Sequence, residues 1–348
     1  MANKEATAYI GTYTKAESQG IYRLVVNTST GEIKENKLAG KVNNPTYLKI
    51  SNDEKLVFSV AKDNDNGGVA SFSIQEDGTL QFINQVLGAG SPPCYVDLSD
   101  DNQRLVSANY HLGTIVSYPV LDDGTIQTET SVVQHKGSGV HERQEKPHAH
   151  FAGYSPDGKH VITCDLGTDR VTTYSIEDGK LVEVSELAVT PGSGPRHLDF
   201  HPNKKFVYIM TELTAEVIAA EYNADTGSII AFQTVASLPE DFTGANTGSA
   251  IHVSPNGKFL YVSNRGHDSI TSFSIDPDSG KLTKIETVSV EGKGPRDFDL
   301  NFTGEILLAA NENTNNVTVF QVNQETGALK LLQKEVKVPE PVCVKFLK

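Results

Sequence analysis

Short stretches in which apolar and polar side chains alternate recur along the whole chain. Val69-Ala70-Ser71-Phe72-Ser73-Ile74 and Ile270-Thr271-Ser272-Phe273-Ser274-Ile275 are two of them. A period of two, carried by β-branched and aromatic residues, predicts strands with one buried face. Each stretch runs into a glycine turn and then a second alternating run, such as Leu80-Gln81-Phe82-Ile83. These are strands C and D of a unit. Upstream lies a more continuously apolar strand B, over 56–61, 105–108, 161–164, 206–210, 259–263 and 306–310. Ahead of each B, a short strand A follows a proline: Pro45, Pro93, Pro147, Pro195, Pro295 and Pro341, with Ser249 at the remaining position. No stretch has the pattern of a long amphipathic helix.

The C–D turns give the period. Their glycines are Gly31, Gly78, Gly124, Gly179, Gly227, Gly280 and Gly327, with gaps of 47, 46, 55, 48, 53 and 47 residues. Asp-Gly and related pairs accept the positive φ of hairpin turns. Four strands repeating at about 49 residues make a propeller blade. The segment 8–12 reads as a strand B with no A before it, and 341–347 reads as an A with no partners after it. One missing and one spare strand complete a blade and leave no open edge. The expected fold is all-β: a seven-bladed β-propeller, four antiparallel strands per blade, closed by the C-terminal strand joining the N-terminal blade. One domain over 1–348 is expected. Trp is absent, which excludes the Trp-Asp repeat class.

Composition narrows the function. Lys+Arg 30 against Asp+Glu 44 gives a net charge of −14. That argues against nucleic acid and against an anionic membrane, but leaves room for a local positive pocket. Cys94, Cys164 and Cys343 are too scattered for a disulfide framework or a zinc site. They read as free thiols of a reducing compartment. With no apolar leader and no run long enough to span a bilayer, a cytoplasmic protein is expected. A closed propeller needs no partner, so a monomer or weak homo-oligomer is expected.

Closure also predicts which residues meet. The D–A and B–C loops open on one face around the axis. The position after the strand-A proline carries Thr46, Cys94, His148, Arg196, Ala250 (after Ser249), Arg296 and Val342. The position after strand B carries Tyr13, Lys62, Tyr110, Leu166, Glu212, Arg265 and Glu312. Charged and imidazole groups concentrate in blades 4 to 7: His148, His150, Arg196, His197, Glu212, Arg265, His267 and Arg296. Glu212 and Arg265 should be lateral neighbours. Two D–A loops are long, 134–146 with His135, His141, Glu142 and Arg143, and 238–248. Long loops on a rigid scaffold often carry function, so the site is expected over blades 4 to 6. Such a cluster suits hydrolysis or ring-opening at a carbonyl of an anionic substrate: arginines hold the anion, a histidine or glutamate activates water, and a cation stabilises the oxyanion.

Pro147-His148-Ala149-His150, Gly194-Pro195-Arg196-His197-Leu198-Asp199-Phe200-His201-Pro202, Glu212-Leu213-Thr214 and Ser263-Asn264-Arg265-Gly266-His267-Asp268-Ser269-Ile270 together resemble the lactonase family of seven-bladed propellers, as does the opening Tyr9-Ile10-Gly11-Thr12-Tyr13-Thr14. That family includes propeller-type 6-phosphogluconolactonases and the fungal carboxymuconate lactonizing enzyme. The resemblance implies cytosolic hydrolysis of 6-phosphogluconolactone in the pentose phosphate pathway, without metal or cofactor. It implies a catalytic set of His148, Arg196, Glu212 and Arg265. Arg196 and Arg265 are expected to bind the anion and stabilise the oxyanion, with His148 or Glu212 as general base. His150, His197, His267 and Arg296 are expected to bind the substrate, a small anionic sugar lactone.

Other readings compete. The same four residues would serve a cycloisomerase that forms or opens a muconolactone. A non-catalytic binding propeller would want apolar anchors on its rim. Arg196 and Arg296 would be structural if they paired with Asp199 and Asp299. His148 and His150, two apart on a strand, face one side and would make a metal pair, but no third ligand is evident. Glu212 would be no more than a surface charge if it stood alone on its loop. His201 belongs to the opposite face as surface structure. No Gly-Xaa-Ser-Xaa-Gly elbow, P-loop or dinucleotide fingerprint is present.

Overall fold

A computed structural model describes residues 4–348. The strands form seven four-stranded antiparallel sheets, and six of them take their strands consecutively in chain order. The seventh combines Pro341–Phe346 with Glu5–Thr12, Gly20–Asn27 and Ile33–Lys41. Among the described residues the only helix is a 3-10 turn, Glu312–Thr314. This is the seven-bladed propeller that the repeat predicts, with Pro341–Phe346 pairing antiparallel to Glu5–Thr12 as the closing strand.

Burial follows from each strand's place in its blade. Strand B is sandwiched between neighbouring blades, so it needs apolar residues on both faces. Phe206–Thr211 and Ile306–Asn311 are buried at every residue. The outermost strands, such as Leu282–Ser289, keep little more than one end buried. The turn glycines join adjacent blades. All seven have positive φ, between 69° and 86°. The Tyr208 hydroxyl donates to Gly280 O at 2.9 Å, and Tyr261 does the same to Gly327 O at 3.0 Å. At Gly280 a Cβ would stand 2.6 Å from the Phe206 ring, so the close approach also requires glycine.

Around the axis, strand-A carboxylates clip one blade to the next. Asp97 accepts from Tyr154 N at 2.8 Å, and Asp199 accepts from Val253 N at 2.7 Å. The closing strand is held twice, by Asp297 on Val344 N at 3.0 Å and by Asp299 on Phe346 N at 3.1 Å. Asp199 and Asp299 are therefore committed to backbone and do not pair with Arg196 and Arg296. Three residues of strand separate each arginine from its expected partner by about 10 Å.

Register corrects a second expectation. In blade 5 Pro195 pairs with Thr211 and His197 with Met210, leaving Arg196 bulged; in blade 7 Arg296 is bulged between Pro295 and Asp297. In blade 4 pairing begins at Ala149 and resumes at Phe151, leaving His150 bulged. A bulge adds an unpaired residue and re-aims its side chain. His150, and not His148, is thus blade 4's counterpart of Arg196 and Arg296. The same bulge ends the simple alternation that would put His148 and His150 side by side on one face. His201 bonds Gly257 O at 2.8 Å in the neighbouring turn, a structural role.

Candidate active site

Every blade contributes to a cavity of about 250 Å³, which therefore lies on the axis. Its wall includes Tyr13, Thr46, Cys94, Tyr110, His111, Arg143, His150, Glu212, Arg265 and Arg296. The site expected over blades 4 to 6 is wider than that, because closure brings blades 1, 2, 3 and 7 to the same mouth.

Glu212 follows strand Phe206–Thr211 and is 4% exposed. Its backbone is fixed on both sides, N–H to Gly194 O at 2.7 Å and C=O from Gly248 N at 2.9 Å. Its carboxylate is shared by three arginines. Oε1 accepts from Arg143 Nη2 at 2.5 Å; Oε2 accepts from Arg196 Nε and meets Arg265 Nη2, both at 3.0 Å. Glu212 and Arg265 are thus the lateral neighbours that their blade-equivalent positions predict. Burial by itself would raise the Glu212 pKa, but the charges of Arg265, Arg196 and Arg143 outweigh it and hold the carboxyl well below the usual range. Both of its oxygens are engaged by arginines, so the carboxylate is tied into the wall and is not free to meet water.

Positive charge is in excess. Arg296 also faces the cavity, beside the Tyr13 ring and 4.0 Å from Glu312. Arg196 is 2% exposed and does not line the cavity; it lies behind Glu212. Burial, with the charges of Arg265 and Arg296, pulls its pKa down to about 9 against the attraction of Glu212, so it is still cationic at neutral pH. Arg196 Nη1 and Arg265 Nε are buried without a hydrogen-bond partner. The pocket is a positive site in an acidic protein, suited to an anion.

The histidines divide. His148 stacks on Tyr110 with ring centroids 4.2 Å apart. Its Nδ1 is 2.9 Å from Tyr110 O and its Nε2 is 3.2 Å from both oxygens of Glu145. Both nitrogens face acceptors, so neither offers a lone pair to the cavity, and His148 is not part of the wall. His150 is part of the wall, and its Nδ1 lies 3.2 Å from His197 Nε2. Burial, and next the Arg196 charge, push both rings well below the ordinary imidazole pKa, so both are neutral. His197 itself sits deeper along the axis. His267 lies outside the cavity, bonded to Ser269 Oγ at 2.8 Å and edge-on to Phe242 at 4.8 Å, so loop 238–248 packs on it and leaves the wall to others.

Arg143, Tyr110 and His111 line the cavity in addition to the residues that the sequence predicts for the site. Arg143 had a signal in the long loop 134–146. Gln144, wholly buried, pins that loop by donating to Leu166 O and Asp169 Oδ1, each at 2.8 Å. Tyr110 also had one, as the residue after a strand B; His111 had none. Among the described residues no group of three or more His, Cys, Asp or Glu is placed to hold a metal.

A seven-bladed propeller closed by a C-terminal strand is the fold of the propeller lactonases. The chain belongs to that family: the profile described as "Lactonase, 7-bladed beta-propeller" matches residues 7–346. A 6-phosphogluconolactonase of Bacillus subtilis (strain 168) is 47% identical over 340 residues, 97% of each chain. Among solved structures, a protein from Lactobacillus plantarum superposes with a TM-score of 0.94 at 39% identity, covering 99% of this chain and 100% of that one. The periplasmic gluconolactonase of Pseudomonas aeruginosa superposes with a TM-score of 0.93 at 32% identity, covering 99% of both.

Proposed function

We propose that this chain is a lactone hydrolase that opens 6-phosphogluconolactone to 6-phosphogluconate, a step of the pentose phosphate pathway. The observation that carries this reading is the charge imbalance of the cavity. Arg143, Arg265 and Arg296 face a space whose one lining carboxylate, among the described residues, is Glu212. The Bacillus subtilis relative named for this substrate supports the choice of a phosphorylated lactone.

In the proposed mechanism Arg143 and Arg296 hold the phosphate. Water adds to the lactone carbonyl carbon and His150 Nε2 takes its proton. The oxyanion on the carbonyl oxygen meets Arg265. The bond from carbonyl carbon to ring oxygen then breaks, and His150 returns the proton to that oxygen. Glu212 holds Arg143, Arg196 and Arg265 in place and is not the base. His148 orients Tyr110 from behind. The charged wall disfavours a binding module with apolar anchors. We place the reaction in the cytoplasm and assign the protein as a monomer or weak homo-oligomer. Cell fractionation tests the compartment, which matters because the Pseudomonas aeruginosa relative is periplasmic by name.

The test is a continuous assay with freshly made 6-phosphogluconolactone, corrected for spontaneous opening, beside unphosphorylated gluconolactone and a muconolactone. The expected result is preference for the phosphorylated lactone, loss of about 100-fold or more in kcat for His150→Ala, and a smaller loss for His148→Ala. Full activity in His148→Ala, His150→Ala and Arg265→Ala alike would refute the mechanism. Preference for the muconolactone would move the chain to the cycloisomerase reading.

A further inference from the structure

His197 is bonded to the proposed base from the side away from the substrate. It lies on strand Pro195–Phe200, 6% exposed, and does not reach the cavity. Its ring is enclosed by Tyr95, Tyr47 and Phe151, at centroid distances of 5.0, 5.7 and 6.0 Å. Among the described residues, the contact with His150 Nδ1 at 3.2 Å is its one side-chain hydrogen bond.

Two neutral imidazoles joined in this way share a single hydrogen. When it sits on His150 Nδ1, Nε2 of His150 carries a lone pair. When it sits on His197 Nε2, the remaining hydrogen of His150 occupies Nε2 and no proton can be accepted there. The surroundings choose between the two. A lone pair aimed at the arginine-rich cavity is favoured by their charge, whereas an N–H aimed there is opposed. We propose that His197 is a positioning residue: it accepts the Nδ1 hydrogen of His150 and so holds His150 in the tautomer whose Nε2 can take a proton from water. The inference rests on the reading that His150 is the base.

The experiment combines ¹⁵N NMR of the histidine rings with kinetics on three variants. His150→Ala assigns the His150 signals and tests the base. His197→Phe fills the aromatic enclosure without an acceptor. His197→Gln restores an acceptor near the Nε2 position. We expect His150 to carry its hydrogen on Nδ1 in the native protein. We expect His197→Phe to lose about 10- to 100-fold in kcat with KM within about twofold, and His197→Gln to recover most of it. If His150→Ala retains full activity, the reading of the base fails, and this inference with it. If His150→Ala is inactive while His197→Phe matches wild type, the base stands and the role of His197 is refuted. A loss in His197→Phe that His197→Gln does not recover, with the His150 ring shifts unchanged, means a packing role only and also refutes it. Should His197→Phe fail to fold, the native spectrum still decides, because a hydrogen on His150 Nε2 overturns the proposal.

Discussion

Replacing Glu212 by glutamine keeps the shape of the side chain and removes the carboxylate that Arg143, Arg196 and Arg265 share. Glu212 and Arg196 are buried at 4% and 2% exposure, so solvent does little to screen the charges left behind. Removing one member of a buried charge cluster costs about 3–5 kcal/mol. Unfolding entropy of about 2.1 cal/mol/K per residue, over 348 residues, converts this to a fall of about 4–7 °C in Tm. The pH dependence has a definite sign. The folded carboxyl lies below its ordinary value of 4.5, so its contribution is complete above that pH and is lost as pH falls through the folded value. The gap between wild type and Glu212→Gln should be constant from pH 8 to about pH 5 and should narrow below that. Because the variant's arginines are under-neutralised, phosphate or 6-phosphogluconate should raise its Tm more than that of wild type. Scanning calorimetry across pH, with and without those anions, reads all three effects. A variant that melts within about 1 °C of wild type at pH 7, or a gap that widens in acid, would refute this account of the cluster.

Arg143→Ala removes a half-exposed arginine held by a loop, so Tm should stay within about 2 °C while KM for the phosphorylated lactone rises about tenfold or more; an unchanged KM on steady-state assay would count against a role in phosphate binding. At the closing strand, Asp297→Asn and Asp299→Asn should differ. Burial opposes ionisation at both, but Lys345 and His252 overcome it at Asp297, whose pKa is lowered, while Asp299 is left raised. Asp297→Asn should therefore cost about 3–5 kcal/mol at pH 7 and Asp299→Asn less than about 1 kcal/mol, read from urea unfolding. Burial pushes the Cys94 thiol up to about 11 and raises the Cys164 and Cys343 thiols well above their ordinary value, so iodoacetamide at pH 7.5 should label no cysteine of the native protein and all three after denaturation, as counted by mass spectrometry.

The blade repeat is legible because each blade must solve the same packing problem. Strand B needs two apolar faces and the C–D turn needs a positive φ, and both leave marks in the sequence. The meeting of Glu212 and Arg265 follows from the same symmetry, since equivalent positions on adjacent blades stand side by side. What escapes is pairwise. Whether His148 or His150 matches Arg196 depends on where hydrogen bonding begins in blade 4, and a proline before the strand does not reveal that Ala149 is the first paired residue. Arg143 reaches Glu212 because Gln144 and Asp169 fix its loop from a distance in sequence. Asp199 and Asp299 look like arginine partners in the sequence, yet each serves a backbone N–H on the next blade.

The closing strand can be regarded as a tethered ligand. Ala8 pairs with Phe346, residues 338 positions apart, and closing a free chain loop of that length costs about 5 kcal/mol or more in entropy. Once the other blades have stacked, that cost is largely met, because the ring has already brought the two ends together. The last step is then the docking of one short strand onto an edge whose Tyr9 and Ile10 are wholly buried in the closed ring. Until residues 341–346 have been synthesised, that apolar edge of strand Glu5–Thr12 stays open to any other strand. Folding of this protein is therefore most exposed to strand exchange between copies in the interval between stacking of the sixth intact blade and arrival of the closing strand.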